Sequence, residues 1–80
     1  KTRPMAHKQI SDHHQRFEYL STYLRQYRIN ENLTQKDLSQ TIHRNTIIRA
    51  ENSKNITLLS LFELADALNL SLREIFLDID

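Results

Sequence analysis

The chain has no cysteine, glycine or tryptophan, and Pro4 is its single proline in 80 residues. Without cysteine it offers neither a disulfide framework nor a thiolate metal site, and a reducing compartment such as the cytoplasm is the default expectation. No apolar run is long enough to cross a bilayer, and the first residues lack the apolar core of a signal peptide. The sequence therefore gives no sign of secretion or of a membrane anchor.

The composition is that of a small folded domain. Hydrophobic residues make up 39% and charged residues 26% of the chain, which is too apolar for a disordered protein. A chain of 80 residues leaves room for one core only, so its elements must pack efficiently. We predict one domain over residues 12–80, preceded by a flexible basic leader, residues 1–11.

Charge is distributed unevenly along the chain. Up to Thr57 there are ten cations and five anions, a net charge of +5, whereas from Leu58 onward one cation stands against five anions, a net charge of −4. Such an asymmetric molecule can orient itself toward a polyanion, because attraction to phosphate is long-ranged and independent of sequence. Chance scatter in a small chain explains the same asymmetry equally well.

Apolar spacing predicts an all-α fold of five helices, with no competing strand pattern. The predicted ranges are 12–31, 35–41, 44–52 (or 45–52), a fourth helix between Thr57 and Asn69, and a fifth from Ser71 to Phe76. Thr34, Thr57 and Ser71 are suited to cap helix starts, the last with Glu74 in a capping box. Asn32 and Asn69 are suited to end helices in the left-handed conformation that glycine usually provides.

The predicted core combines apolar residues from all five helices. The helical spacing selects Phe17, Leu20, Leu24, Tyr27, Leu38, Ile42, Ile47, Ala50, Leu58, Leu61, Phe62, Leu64, Ala65, Leu68, Leu72, Ile75 and Phe76. The fourth helix has the broadest apolar face and is expected to lie at the centre of the fold.

Three separated motifs resemble one family. They are Leu33-Thr34-Gln35, Arg49-Ala50-Glu51-Asn52 and the segment from Leu64 to Phe76. In this order they resemble the Cro/CI-type (XRE-family) helix-turn-helix domain, and the likeness extends from about Leu20 to Phe76. The resemblance implies a compact five-helix bundle of the phage repressor-like type. It also implies sequence-specific binding of double-stranded DNA by a prokaryotic or phage-type transcriptional regulator, with a recognition helix at about 44–52 in the major groove.

The resemblance also implies roles for individual residues. Arg28 and Glu51 match a pair that commonly forms a structural ion pair in the family. Gln35 matches a glutamine that binds phosphate or braces a recognition side chain, although it is also simply a good residue for the first turn of a helix. Arg44, Asn45 and Thr46 match the first exposed positions of the reading helix.

Arginine and asparagine suit base recognition, because they form paired hydrogen bonds with guanine and adenine respectively. For Asn45 a role as helix cap is an equal alternative, and for Arg44 the alternative is a solvated charge. Arg49 is a candidate for a phosphate or a base. Ile48 either packs on a thymine methyl group or enters the core.

The loop after the predicted third helix contains Lys54 and Asn55. Together with the backbone amides at the Thr57 helix start, these residues are candidates for a phosphate clamp, and an ordinary polar turn is the alternative.

The chain departs from the family pattern at three places. The turn between Thr41 and Asn45 is about two residues shorter than usual and lacks the customary glycine. Ser39 replaces the usual small alanine, and the loop after Glu51 is one residue short. These departures affect mainly the register of residues 41–46.

No residue pattern suggests an enzyme, a cofactor or a metal site. The chain has four histidines, His7, His13, His14 and His43, but no cysteine and no carboxylate pair at ligand spacing near them. Solvated side chains explain these histidines better than a metal site does. No serine or carboxylate cluster suggests catalysis.

Two further expectations concern partners. Family members commonly form homodimers that bind two half-sites, and Leu77 and Ile79 offer a partner surface or complete the core. In the leader, the basic residues from Lys1 to Lys8 could form an arm along the DNA backbone or minor groove, but a disordered segment is the favoured interpretation. The alternative function is a protein-interaction module, such as an antitoxin or an adaptor, on the same helical fold.

Overall fold

The computed structural model describes residues 12–79, and within them the regular secondary structure is all helical, without strands. Five helices follow in order: α1 (Asp12–Asn30), α2 (Gln35–Leu38), α3 (Arg44–Ala50), α4 (Leu58–Leu68) and α5 (Leu72–Phe76). The predicted all-α, five-helix architecture is confirmed. The predicted leader, residues 1–11, and the last residue of the predicted domain, Asp80, lie outside the described residues.

Helix α1 buries a narrow stripe along one face. Ser21, Leu24 and Arg28 lie at positions i, i+3 and i+7, the spacing that places residues on one side of a helix, and all three are buried. The helix ends at Asn30, and Asn32 just beyond it has a left-handed φ of 62°, while the Leu33 N–H donates to the Arg28 carbonyl over 3.1 Å. This bond closes the last turn and allows the chain to reverse into α2.

Polar side chains cap the helix starts as predicted. The Thr57 hydroxyl accepts the Ser60 N–H at the start of α4, and Ser71 and Glu74 form a reciprocal capping box at α5. Thr34 caps α2, and the Asp37 carboxylate accepts the Thr34 N–H over 2.8 Å in return. Hydrogen bonding of the carboxylate, first to the Thr34 backbone N–H and second to the Thr34 side chain, holds the pKa of Asp37 below its ordinary value.

Two helix ends differ from the prediction by two or more residues. Helix α2 ends at Leu38 instead of Thr41, because the short connection must deliver Ile42 into the core almost immediately, and the intervening residues form tighter turns with i→i−3 hydrogen bonds. Helix α3 ends at Ala50 instead of Asn52. There Ser53 adopts a left-handed φ of 58°, and the Lys54 N–H donates to the Arg49 carbonyl.

The core lies where the five helices meet. Its buried apolar residues are Leu24, Leu38, Ile42, Ile47, Ala50, Leu61, Leu64, Ala65, Leu68, Leu70 and Ile75. Phe17, Leu20, Tyr27 and Leu72 are only partly buried. Helix α4 contributes four of the buried residues, as its predicted central position requires.

Three residues predicted to lie in the core are exposed instead. Leu58 is 64% exposed, and Phe62 and Phe76 are each 42% exposed. The buried side of α4 is centred on Leu61, and a rotation of about 100° per residue carries Phe62 to the flank of the helix. In α5, Ile75 fills the core position completely, so the adjacent Phe76 faces outward.

Within residues 12–79, no helix combines the length and the apolar character that spanning a membrane requires.

Candidate nucleic-acid interface

A buried ion pair fixes the end of α3 to α1. The Arg28 Nε donates to Glu51 Oε2 over 2.7 Å, and its Nη2 donates to Glu51 Oε1 over 3.1 Å. The third guanidinium nitrogen, Nη1, donates to the Leu33 carbonyl over 2.7 Å. The two side chains are only 11% and 5% exposed, so a two-point bond of this kind constrains both position and orientation. This is the pair that the family resemblance implied.

Gln35 completes the same network. Its Nε2 donates to Glu51 Oε1 over 3.0 Å, and the side chain is half-buried at the first position of α2. Of the two roles considered for this glutamine, the geometry is that of a brace, although it braces the buried Glu51 and not a side chain on the exposed face of α3.

A second tie between α1 and the end of α3 runs through Ser21. Its hydroxyl donates to the Ala50 carbonyl over 2.6 Å and accepts the Ser53 N–H over 2.8 Å. One buried hydroxyl thus satisfies a carbonyl at the helix terminus and an amide of the following loop. Together with the Arg28–Glu51 pair, it fixes both the axial position of α3 and its rotation.

His43 is the N-cap of α3. Its Nδ1 accepts the Asn45 N–H over 3.2 Å, and α3 begins at the next residue, Arg44. Asn45 is therefore the second residue of the helix, and the alternative in which Asn45 itself is the cap is wrong. His43 is exposed, but its ring performs a structural role that the sequence reading of a merely solvated histidine did not include.

Helix α3 turns one side inward and the other outward. Ile47 and Ala50 are buried, whereas Arg44, Asn45 and Ile48 are exposed, with Ile48 37% exposed. Ile48 therefore does not enter the core, which removes one of its two alternatives. Within the described part of the chain, the Arg44 and Asn45 side chains have no hydrogen-bond or ion-pair partner.

Arg49 leans from α3 toward the following loop. Its Nε and Nη2 donate to the Asn55 carbonyl over 3.2 and 2.7 Å, so the guanidinium fastens the loop to the helix. It lines an open groove between α3 and the start of α4 together with half-buried Thr46 and the capping Thr57; the full lining is Thr46, Arg49, Asn55, Ile56, Thr57 and Ser60. The groove offers a guanidinium, hydroxyl groups and the N-terminal end of α4.

The exposed charges around α3 have one sign. Arg44, Arg49 and Lys54 are all exposed, and Glu51, the one carboxylate between residues 43 and 57, is enclosed by Arg28. This surface, which we call the α3 rim, consists of residues 43–49 with the adjoining loop 53–57. Its field is cationic because it contains no acidic side chain and the carboxylate of Glu51, which lies between its two parts, is paired with Arg28.

The structure also bears on whether the histidines could bind a metal ion. Among residues 12–79 no three histidine or acidic side chains are grouped so that they could hold a metal ion. His14 lies 3.8 Å from Glu18 on the exposed face of α1, one turn away, and His13 borders a different, apolar groove.

Comparison with known families identifies the chain's class. The family model described as helix-turn-helix matches residues 24–75, which is more than half of the chain. The protein belongs to this family, the Cro/CI-type (XRE-family) helix-turn-helix proteins, which are DNA-binding regulators. Comparison with curated proteins and with solved structures found no significant match.

Proposed function

We propose that the protein is a sequence-specific double-stranded DNA-binding regulator of transcription, of prokaryotic or phage type, and that it is not an enzyme. We assign the DNA-binding domain to residues 12–80, and a protein with this function acts in the cytoplasm. The observation that carries the proposal is the α3 rim, on which three exposed cations and an unpaired Asn45 surround a short helix held by buried polar ties.

In this proposal α3 lies in the major groove. Arg44 and Asn45 contact base edges, because both side chains are exposed, lack protein partners and have donor patterns that match guanine and adenine. Thr46 lies beside them and supplies a hydroxyl group. Ile48 packs on a thymine methyl group, a role supported by its exposure one helical turn from the exposed Arg44 and Asn45.

Phosphate contacts come from the groove beside α3. Arg49 and Asn55 line this groove with the N-terminal end of α4, an 11-residue helix whose dipole favours an anion there, and the exposed Lys54 precedes Asn55 in the same loop. Arg49 keeps its Nη1 available while its other two nitrogens hold the loop. Gln35 acts indirectly by fixing Glu51, and so the end of α3.

We further propose that two copies bind a two-fold operator. A single short helix contacts only a few base pairs, and a second copy one turn of DNA away, about 34 Å, doubles the recognised sequence. Because the two protomers are identical, the operator is expected to consist of two inverted half-sites.

A protein-interaction module is the second candidate. Its support is the exposed apolar flank of α4, formed by Leu58, Leu59 and Phe62, which are 64%, 64% and 42% exposed. The two candidates predict different contact surfaces. A DNA regulator uses the polar α3 rim, and an adaptor or antitoxin uses the apolar flank of α4.

Selection of binding sites from random duplexes at two salt concentrations tests the proposed function. We expect enrichment of a motif with inverted half-sites about one helical turn apart. Arg44→Ala and Asn45→Ala are each expected to relax the preference at one base by about 1–3 kcal/mol. The proposal is rejected if no sequence is enriched and no duplex binds even at low salt.

A further inference from the structure

The N-cap of α3 differs in chemistry from the caps of the three other short helices. Thr34, Thr57 and Ser71 cap α2, α4 and α5 with hydroxyl groups, which carry no proton that titrates near neutral pH. Helix α3 is capped instead by the imidazole of His43. Among the N-caps that the structure describes, the one that can gain a proton therefore lies at the start of the α3 rim.

The geometry of this cap requires the neutral ring. His43 Nδ1 accepts the Asn45 N–H over 3.2 Å. A backbone amide can only donate, so Nδ1 must be unprotonated and the single ring proton must lie on Nε2. In the imidazolium form both ring nitrogens carry protons, and Nδ1 can no longer accept. Protonation of the ring therefore removes the cap.

The loss of the cap falls on a short helix. Helix α3 has 7 residues, and the amides of a first helical turn have no acceptor within the helix itself. The protonated ring also places a positive charge at the N-terminal end, which the helix dipole disfavours. Arg44 and Asn45, which are proposed to contact base edges, occupy the first two positions of this turn. Ser21 and Glu51 hold the other end of α3, so the change is confined to the first turn.

No neighbouring carboxylate compensates for the added charge. Helices α2 and α4 pack against α3, as α1 does at its other end. Asp37 on α2 accepts the Thr34 N–H, Glu63 on α4 is exposed, and no carboxylate of a described residue forms an ion pair with the imidazole. The cations on the adjoining elements are Lys36 on α2 and Arg44 on α3, both exposed. The imidazolium thus adds one more positive charge to a cationic surface.

We propose that His43 is a positioning residue for sequence discrimination, whose neutral imidazole holds the first turn of α3 and whose protonation makes DNA binding less selective. The two consequences of protonation act on DNA in opposite directions. Loss of the cap weakens binding to the preferred sequence, because Arg44 and Asn45 are no longer held in place. The added charge strengthens attraction to any duplex. This inference rests on the proposed function.

Binding of an enriched duplex and of a scrambled duplex of the same composition tests the proposal. Both affinities are measured at one salt concentration at about pH 8 and about pH 5, the limits of the range in which histidine usually changes charge. The ratio of the two affinities is expected to fall about tenfold at the lower pH, which is within the range of one lost base contact. The affinity for the scrambled duplex is expected to stay equal or to rise.

Three variants assign the effect to the cap. His43→Asn is expected to keep the same ratio at both pH values, because asparagine is a favoured N-cap residue that does not titrate. His43→Ala removes the acceptor and is expected to have a low ratio at both. His14→Asn is the matched control, since His14 is exposed on α1, outside the α3 rim, and this variant is expected to lose selectivity with pH as the unsubstituted protein does.

A measurement without DNA checks the cap itself. In an NMR titration, the amide signals of residues 44–47 are expected to shift with the same midpoint as the ring C–H signals of His43, and to lose this transition in His43→Asn. Amide signals that do not follow the ring would overturn the inference.

The binding data distinguish this inference from the proposed function. A protein that binds no duplex at either pH rejects the proposed function and this inference together. A protein that binds the enriched duplex selectively, with a ratio that is the same at both pH values or falls equally in His43→Asn, overturns this inference alone.

Discussion

The stability of the domain should depend strongly on Glu51. Its carboxylate accepts two hydrogen bonds from Arg28 and one from Gln35, and the two charged side chains are 11% and 5% exposed. In Glu51→Gln the new amide presents donors to the donors of Arg28 and leaves a buried guanidinium without a counter-charge. Removing one member of a buried pair costs about 3–5 kcal/mol. A domain of this size has a free energy of unfolding of about 4–12 kcal/mol, so the loss is a large part of the total.

Urea unfolding followed by far-ultraviolet circular dichroism measures this loss. Glu31→Gln is the control, because Glu31 is exposed at the end of α1 and the same change of charge there should cost less than about 0.5 kcal/mol. A cost below about 1 kcal/mol for Glu51→Gln would show that the pair is not the buried tie described above.

A double variant separates the pair from its individual members. Replacing both residues, Arg28→Met with Glu51→Leu, removes the uncompensated charge, so the double variant should be less destabilised than the sum of the single variants. Recovery will be incomplete, because the Leu33 carbonyl loses the Arg28 donor, which costs about 1 kcal/mol. Simple additivity of the two single effects would contradict this interpretation.

Three further predictions follow from local geometry. Ser53→Gly should stabilise the fold by about 0.5–1 kcal/mol in urea unfolding, because Ser53 has a left-handed φ of 58° that glycine adopts without strain; a loss of stability would contradict this. Thr34→Ala should raise the pKa of Asp37 toward 3.8, measured by carbon NMR titration, because the Thr34 side chain that helps to lower this pKa is lost while the bond from the Thr34 N–H remains. Since that pKa is lowered in the folded state, the stability it contributes is present above pH 3.8 and is lost as pH falls through the folded value; an unchanged pKa in Thr34→Ala would contradict the capping explanation. Arg49→Ala should weaken binding to all duplexes alike and reduce the slope of log affinity against log salt by about 1, whereas Arg73→Ala on α5 should leave that slope unchanged.

Much of the fold could be predicted because the local signals are strong. Asn32 and Asn69 both adopt the expected left-handed conformation, with φ of 62° and 56°, in a chain that has no glycine for these positions. Thr57 and Ser71 cap their helices as expected. A hydroxyl two or three residues before a free backbone amide at a helix start is well placed to accept a hydrogen bond from it. Signals of this kind need no information from distant parts of the chain.

The remaining features depend on tertiary contacts that periodicity does not encode. Ser21 gave one usable signal, its position on the same helical stripe as Leu24 and Arg28, but its partners at the end of α3 lie about thirty residues away in sequence. The cap at His43 depends on where the shortened turn begins α3. Phe62 is a large apolar residue of the kind that usually lies in a core, and only the packing of α4 determines that it lies outside the core.

The candidate site likewise has features that the sequence could predict and features that depend on tertiary contacts. The family resemblance was enough to predict which residues form the outer side of α3, and Arg44, Asn45 and Ile48 are exposed on that helix. The bond from Arg49 to the Asn55 carbonyl could not be predicted, because it depends on the path of a loop shorter than the family pattern. The roles of these residues toward DNA remain predictions for experiment.

The most direct test of the central claim is to map the amide chemical shifts of the labelled protein while an enriched duplex is added at low salt. If the α3 rim binds DNA, the largest changes will fall on residues 43–49 and 53–57, and the amides of α5 will be nearly unaffected. Changes confined to the Leu58, Leu59 and Phe62 flank of α4, or no changes at saturating duplex, would contradict the proposed function.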